Sequence, residues 1–164
     1  PEAQLDRFMF SLWMSYPPSE EEQQIVAQTT ATRRVEIEPV FDKDQVQSFQ
    51  QLVRRMPAPQ QVIAYAVELA RATRPDGADT TETARKYVEG GAGTRAAQYM
   101  ILGAKAMAVL DGVPAASREH VRQVAGHVLR HRVLPNYQAA GEGVTVEAII
   151  ERILEEKGDF AEVG

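Results

Sequence analysis

Tyr87-Val-Glu-Gly-Gly-Ala-Gly-Thr-Arg-Ala-Ala97 decides how this chain folds: a glycine-rich turn runs straight into a segment that stays apolar on nearly every side as far as Leu110. Tyr99, Met100, Ile101, Leu102, Ala104, Met107 and Val109 leave that segment no polar stripe. A helix of this kind is one that other helices wrap. The segment therefore predicts a central helix from Arg95 to Leu110 in a mainly α fold, with Met100 and Met107 as core filler. Arg95 stands at its start.

Working outward, Asp42-Lys-Asp-Gln45 reads as a capping signal before Val46, Phe49, Leu52 and Val53, which share one helical face until Pro57 and Pro59 stop it. A helix from about Pro59 to Thr73 should bury Val62, Ile63, Ala66, Leu69 and Ala70. Residues 74–84 are turn formers without periodicity and predict an exposed loop. Beyond Asp111-Gly112, Ser117 can cap a helix carrying Val121, Val124, Val128 and Leu129. Thr145 can cap a last one carrying Ile149, Ile150, Ile153 and Leu154, ending at Gly158.

Toward the front, Ser19-Glu-Glu-Glu22 reads as a capping box for a helix to about Thr30, and Val35-Glu-Ile-Glu-Pro39 as a short extended piece. Phe8-Met-Phe-Ser-Leu-Trp-Met14, closed by Tyr16-Pro-Pro18, fits a strand covered on both faces; a short buried helix turn is the alternative. No second strand of that quality follows, so its sheet partners are expected before residue 1. With an opening on Pro1, the chain reads as an excised piece of something longer.

The 164 residues are 44% hydrophobic, enough to bury a core, and carry a formal charge of −5, which argues against a broad phosphate-backbone footprint. There is no cysteine, hence no disulfide and no thiolate ligand or nucleophile. Neither a membrane-length apolar run nor a secretory leader is present in the sequence, and a cytoplasmic location is expected.

His120, His127 and His131 lie within about 20° of one helical stripe, yet His127-Val-Leu-Arg-His131 lacks the glutamate of a zinc-protease motif and no further ligand is evident. No metal site is expected. Arg118, Arg122, Arg130 and Arg132 read as a solvated helix face. Glu20–Glu22 and Glu155-Glu156 read as helix-end charges rather than catalytic carboxylates. No Gly-x-x-x-x-Gly-Lys-[Ser/Thr] occurs, so nothing in these residues cradles a triphosphate unaided.

Two arginines remain. Arg7, in Leu5-Asp-Arg-Phe8, and Arg95 both carry the fixed, permanently charged donor fork that suits phosphate oxygens, although exposed arginines more often only solvate a surface or pair with carboxylates.

Taken together, Pro1-Glu-Ala-Gln-Leu-Asp-Arg-Phe8 with the apolar strand and Tyr16-Pro17, Ala72-Thr-Arg74, Gly91-Ala-Gly-Thr-Arg-Ala96, Ala104-Lys-Ala-Met-Ala-Val-Leu-Asp-Gly112 and Val128-Leu-Arg-His-Arg132 resemble the C-terminal part of a MoxR-type AAA+ ATPase. The resemblance covers residues 1 to about 155. It implies a mainly α fold in which residues 1–31 are the last strand and helix of the α/β P-loop core, 32–41 a linker, 42–157 the helical-bundle AAA+ lid domain and 158–164 a tail. It also implies that Arg7 is the catalytic arginine finger, reaching a neighbouring subunit's ATP, and that Arg95 is the cofactor-binding second-sensor arginine.

The family pattern Gly-Ala-Ser-Pro-Arg is Gly91-Ala-Gly-Thr-Arg95 here, which loses proline's fixed helix start. By the same resemblance the parent protein would use ATP and Mg2+, form a ring of identical subunits, and act as a chaperone-like remodeller in the maturation of protein complexes or insertion of their cofactors. A von Willebrand factor A-domain protein would be its partner, with neither nucleic acid nor a membrane span involved. The isolated piece, lacking the phosphate loop, would be inactive. Two other readings stay open: a non-catalytic all-α interaction module, and a nucleic-acid motor of the related helicase branch.

Overall fold

A computed structural model describes residues 2–32 and 37–158, the side chains of Glu2 and Ala3 excepted. Its centre is the helix foreseen from the apolar run, α6 in chain order (Thr94–Leu110). Around it lie α3 (Lys43–Arg55), α4 (Gln60–Ala72) and α7 (Arg118–Leu129). Met100, Ala104 and Ala108 of α6 are fully buried, as are Leu69 of α4 and Val121 and Val128 of α7. Gly103 lets α6 pack closely on α7: a Cβ there would lie 3.2 Å from Val124 and from the Phe10 ring. α9 (Val146–Glu156) closes the bundle against α4, α5 (Glu82–Tyr87) and α7, burying Ile149, Ile150 and Ile153.

The helix starts are chemical. Asp42 Oδ1 accepts from Gln45 N at 2.8 Å while Asp42 N donates to Gln45 Oε1 at 2.9 Å, the reciprocal cap that the sequence predicts. Ser117 and Thr145 cap α7 and α9 as expected. At α7 the returning partner is a histidine: Ser117 N donates to His120 Nδ1 at 3.0 Å, so the ring's proton lies on Nε2, facing Asp111 Oδ2 at 3.1 Å. The helix α2 (Ser19–Thr29) departs from expectation, because Pro18 occupies its N-cap and Ser19, inside the first turn, accepts from Gln23 instead of closing a box.

Other expectations are corrected. Ile63 is 37% exposed; Tyr65 takes the buried position in α4. Residues 74–84 are a bonded loop rather than a free one: Thr80 and Thr81 hydroxyls donate to Arg74 and Ala72 carbonyls, Thr81 is buried, and from Glu82 the chain is already α5. Glu156, read as a helix-end charge, does cap a helix, accepting from Glu82 N and Thr83 N of α5. Phe8–Met14 begins with a bend at Phe8 and Met9 and pairs with no strand among the described residues, and Phe8, Leu12, Trp13 and Met14 are exposed rather than covered. Of the extended piece expected at Val35–Pro39, residues 35 and 36 lie outside the described residues, as does the tail from 159.

Three short elements were not foreseen: α1 (Glu2–Leu5), α8 (Tyr137–Glu142) and a two-stranded antiparallel ribbon of β1 (Val88–Gly90) with β2 (Leu134–Pro135). The ribbon matters most. It ties the residues just before the glycine turn to those just after Arg132.

Candidate functional site

Four of the stretches that carried the family resemblance meet beside that ribbon. Gly91 touches the end of α4 so closely that a Cβ would lie 2.5 Å from Thr73 O and 2.6 Å from Arg74 Cα. Thr73, fully buried, uses both capacities of its hydroxyl: it donates to Ala70 O and accepts from Ala92 N, each at 2.8 Å. Arg74 Nε donates to Ala92 O at 3.0 Å. The Ala72-Thr-Arg74 stretch thus clamps the glycine turn, and the turn delivers Gly93 as the N-cap of α6 in extended geometry with no side-chain cap of its own.

From that helix start Arg95 Nη1 donates to Asp6 Oδ2 at 2.6 Å. The other oxygen of the same carboxylate, Oδ1, accepts from Arg132 Nε at 2.9 Å. Asp6 is therefore bridged by two guanidiniums. Burial pushes its pKa up, but the hydrogen bonds and charges of Arg132 and Arg95 outweigh that and hold it below the ordinary 3.8.

Arg132 is not part of a solvated face. Its side chain is 2% exposed, and beyond Asp6 it donates to the carbonyls of Asp6, Phe8, Met9 and Val128. Its companions are engaged as well. Arg122 bonds Tyr65 Oη and Leu154 O, and Arg130 donates to Ser11 O at 3.0 Å and lies 3.5 Å from Glu147; Arg118, although exposed, lies over the Tyr65 ring.

These bonds lay residues 6–13 as a strap over the lower ends of α6 and α7. Tyr99 Oη, one turn beyond Arg95, donates to Arg7 O at 2.8 Å; Ser11 N donates to His127 O at 2.9 Å; Phe10 meets His127 edge-on; and Trp13 Nε1 donates to Glu147 at 2.9 Å. His131 Nε2 lies 3.1 Å from Phe8 O, as a donor, while its Nδ1 is buried without a partner among the described residues. Protonating that nitrogen would bury an unmatched charge. Desolvation accordingly lowers the His131 pKa from its ordinary 6.5, against the support of the Phe8 carbonyl.

Of the two arginines singled out from sequence, Arg7 is exposed and makes no ion pair among the described residues, whereas Arg95 is half-exposed and paired with Asp6. They belong to one locus, since Arg7 adjoins the Asp6 that binds Arg95 and hangs by its carbonyl from Tyr99. Beside them a cleft of about 190 Å³ is lined by Asp6, Gly91, Ala92, Gly93, His131, Arg132 and Leu134. The three histidines do not converge, and no cluster of metal-ligating side chains occurs among the described residues. Nor is any described helix long and apolar enough to cross a membrane. The roles of Asp6, Tyr99 and Thr73 were missed, although Asp6 adjoins Arg7 and Thr73 stood inside a quoted motif.

The chain is similar to known proteins over most of its length. The AAA lid domain family matches residues 80–153, which contain the glycine turn, α6 and Arg132. The chain is 28% identical over 155 residues to Chaperone MoxR1 of Mycobacterium tuberculosis, covering 94% of this chain and 41% of that protein. It is 30% identical to the uncharacterized protein YeaC of Bacillus subtilis, again over 94% of this chain and 46% of the relative. A crystal structure of a candidate ATPase from Cytophaga hutchinsonii superposes with a TM-score of 0.81 at 31% identity, covering 94% of this chain and 47% of that one. The chain thus spans less than half the length of the relatives it matches, and over 94% of its own length it is similar to a part of MoxR-like AAA+ proteins that includes the AAA lid domain.

Proposed function

We propose that this chain serves a ring-forming AAA+ ATPase with chaperone-like remodelling activity, in which Arg7 is the catalytic arginine finger and Arg95 the second-sensor arginine that binds the nucleotide. Residues 1–31 would close the nucleotide core, 32–41 link it to the lid, and 42–157 form the lid. ATP and Mg2+ would be held by groups outside these 164 residues, which contain no phosphate loop. The cofactor would supply the phosphoryl group whose oxygens the arginines meet.

The observation that carries the reading is the contrast at one locus between a main chain bonded at residue after residue and an exposed Arg7 guanidinium. A guanidinium held ready in this way can neutralise charge that grows only as a phosphoryl group leaves, which lowers the barrier rather than merely tightening binding. Arg95, at the N-terminus of the long helix α6, adds a second cation and the helix's own positive end to the same neighbourhood. Asp6 is the partner of Arg95 among the described residues. A phosphate, carrying more charge than a carboxylate, would compete for that guanidinium, and the lid would register the exchange through α6. Because Arg7 and Arg95 share this locus, both would face the same nucleotide, held by the adjacent subunit. A von Willebrand factor A-domain partner and a role in maturation of protein complexes follow from the resemblance to MoxR-type proteins. Cytoplasmic operation fits the absence of cysteine.

In the intact ATPase, Arg7→Ala should lower kcat at least about tenfold while ATP affinity changes by less than about twofold, and Arg95→Ala should weaken ATP affinity as well as turnover. The Asp6–Arg95 pair is also what a non-catalytic all-α interaction module would contain. Unchanged turnover in both variants would select that reading.

A further inference from the structure

We propose that Arg132 is a positioning residue for Arg7. This inference rests on reading Arg7 as the arginine finger and concerns what aims it. Arg132 Nη2 donates to Asp6 O at 2.8 Å and to Phe8 O at 2.6 Å, the carbonyls on either side of Arg7, and Nε donates to the Asp6 carboxylate at 2.9 Å. The carbonyl between them, Arg7 O, accepts from Tyr99 Oη at 2.8 Å, and the Arg132 guanidinium lies 5.2 Å from the centre of the Tyr99 ring. Three successive carbonyls are thus pinned by one buried guanidinium and the tyrosine against which it packs.

The chemistry explains why the pin is an arginine. Only a planar fork can donate to two carbonyls and a carboxylate at once from a fixed plane; a lysine ammonium on a flexible stem cannot hold that geometry. The Arg7 side chain itself is exposed, so the direction in which it leaves the surface is set by its own backbone, which Arg132 fixes. Transition-state stabilisation by a charge is steeply sensitive to such placement, and an error of about 1 Å can cost about a hundredfold. Arg132 touches no reacting group in this account and acts through Arg7.

The test is a double-mutant cycle on the intact, assembled ATPase, with steady-state ATP turnover as the readout. Arg132→Lys keeps the charge and removes the fork. It should lower kcat about tenfold with KM for ATP changed by less than about twofold, and should cost nothing further in an Arg7→Ala background. Tyr99→Phe removes only the hydroxyl, and should lower kcat about threefold, again only where Arg7 is present. If Arg132→Lys does not assemble, Tyr99→Phe decides alone. Equal loss with and without Arg7, or no loss, overturns the positioning role while leaving the finger intact. An Arg7→Ala variant with normal turnover overturns the finger reading and this inference with it.

Discussion

A methyl group at Gly91 would lie 2.5 Å from Thr73 O and 2.7 Å from Arg74 N, so the backbone of the turn and the end of α4 occupy space that no side chain can share. Gly93, two residues on, meets nothing within 4 Å and has the extended backbone of an N-cap without a capping oxygen. Two glycines in one turn therefore have opposite prospects. Gly91→Ala should destabilise by about 2–3 kcal/mol through forced separation of turn and helix. Gly93→Ser should stabilise by about 0.5–1 kcal/mol, by supplying an acceptor to the first turn and stiffening the unfolded chain. Chemical denaturation midpoints at constant slope measure both; equal effects of the two substitutions would contradict this account of the turn. The sequence showed a glycine-rich turn before a helix, since glycine and an apolar run are local signals. Which glycine is indispensable was not legible, because the obstacle comes from residues 73 and 74. Likewise Arg132 reads in the sequence like Arg118, which is exposed. Its burial is caused by Asp6, 126 positions away.

The strap of residues 6–13 is the element whose behaviour follows most directly from its bonds. It has no ladder and few buried apolar groups, and is held by individual donors to its carbonyls, so it should open more readily than the bundle beneath it. Two of the groups that hold it titrate. The folded His131 pKa is lowered, so the neutral ring's contribution is complete above its unfolded value of 6.5 and is lost as pH falls through the lower folded value. The folded Asp6 pKa is also lowered, so its contribution is present above 3.8 and is lost only in stronger acid. Acidification should therefore loosen the strap in two steps, the His131 step first. Hydrogen exchange at the Ser11 amide, corrected for intrinsic rates, should quicken between about pH 7 and 5 while α6 amides stay protected, and His131→Asn should remove the pH dependence in that interval. Constant Ser11 protection across it would contradict the account. Reading Phe8–Met14 as a covered strand is not borne out: Phe8 and Met9 form a bend, the run joins no strand among the described residues, and Phe8, Leu12, Trp13 and Met14 are exposed. An apolar run states that a segment will be desolvated by something, but not by what. The caps at Asp42, Ser117 and Thr145 were legible because donor and acceptor lie within three residues of each other; the two-stranded ribbon was not, because its pairing spans more than forty.

At the scale of the whole molecule, the bundle around α6 brings sequence-distant stretches to one corner, and the AAA lid domain match at residues 80–153 contains two of the four that meet there. The order of the six longer helices, the central helix and the fold class were legible from apolar periodicity, caps and stop signals, while the short α1, α5 and α8 were not. The candidate site was legible only as separate motifs, since their convergence depends on the ribbon and on the Thr73 clamp. The central claim is that Arg7 works across a boundary between subunits of a ring. Subunit mixing tests it most directly: Arg7→Ala subunits, which keep an ATP site and lack the finger, are combined in the intact ATPase with subunits that cannot bind ATP but keep Arg7. The account predicts that mixed rings turn over ATP faster, by at least about fivefold, than either parent alone, because each intact finger meets a loaded neighbour. Turnover in the mixture no greater than the weighted mean of the two parents would contradict it.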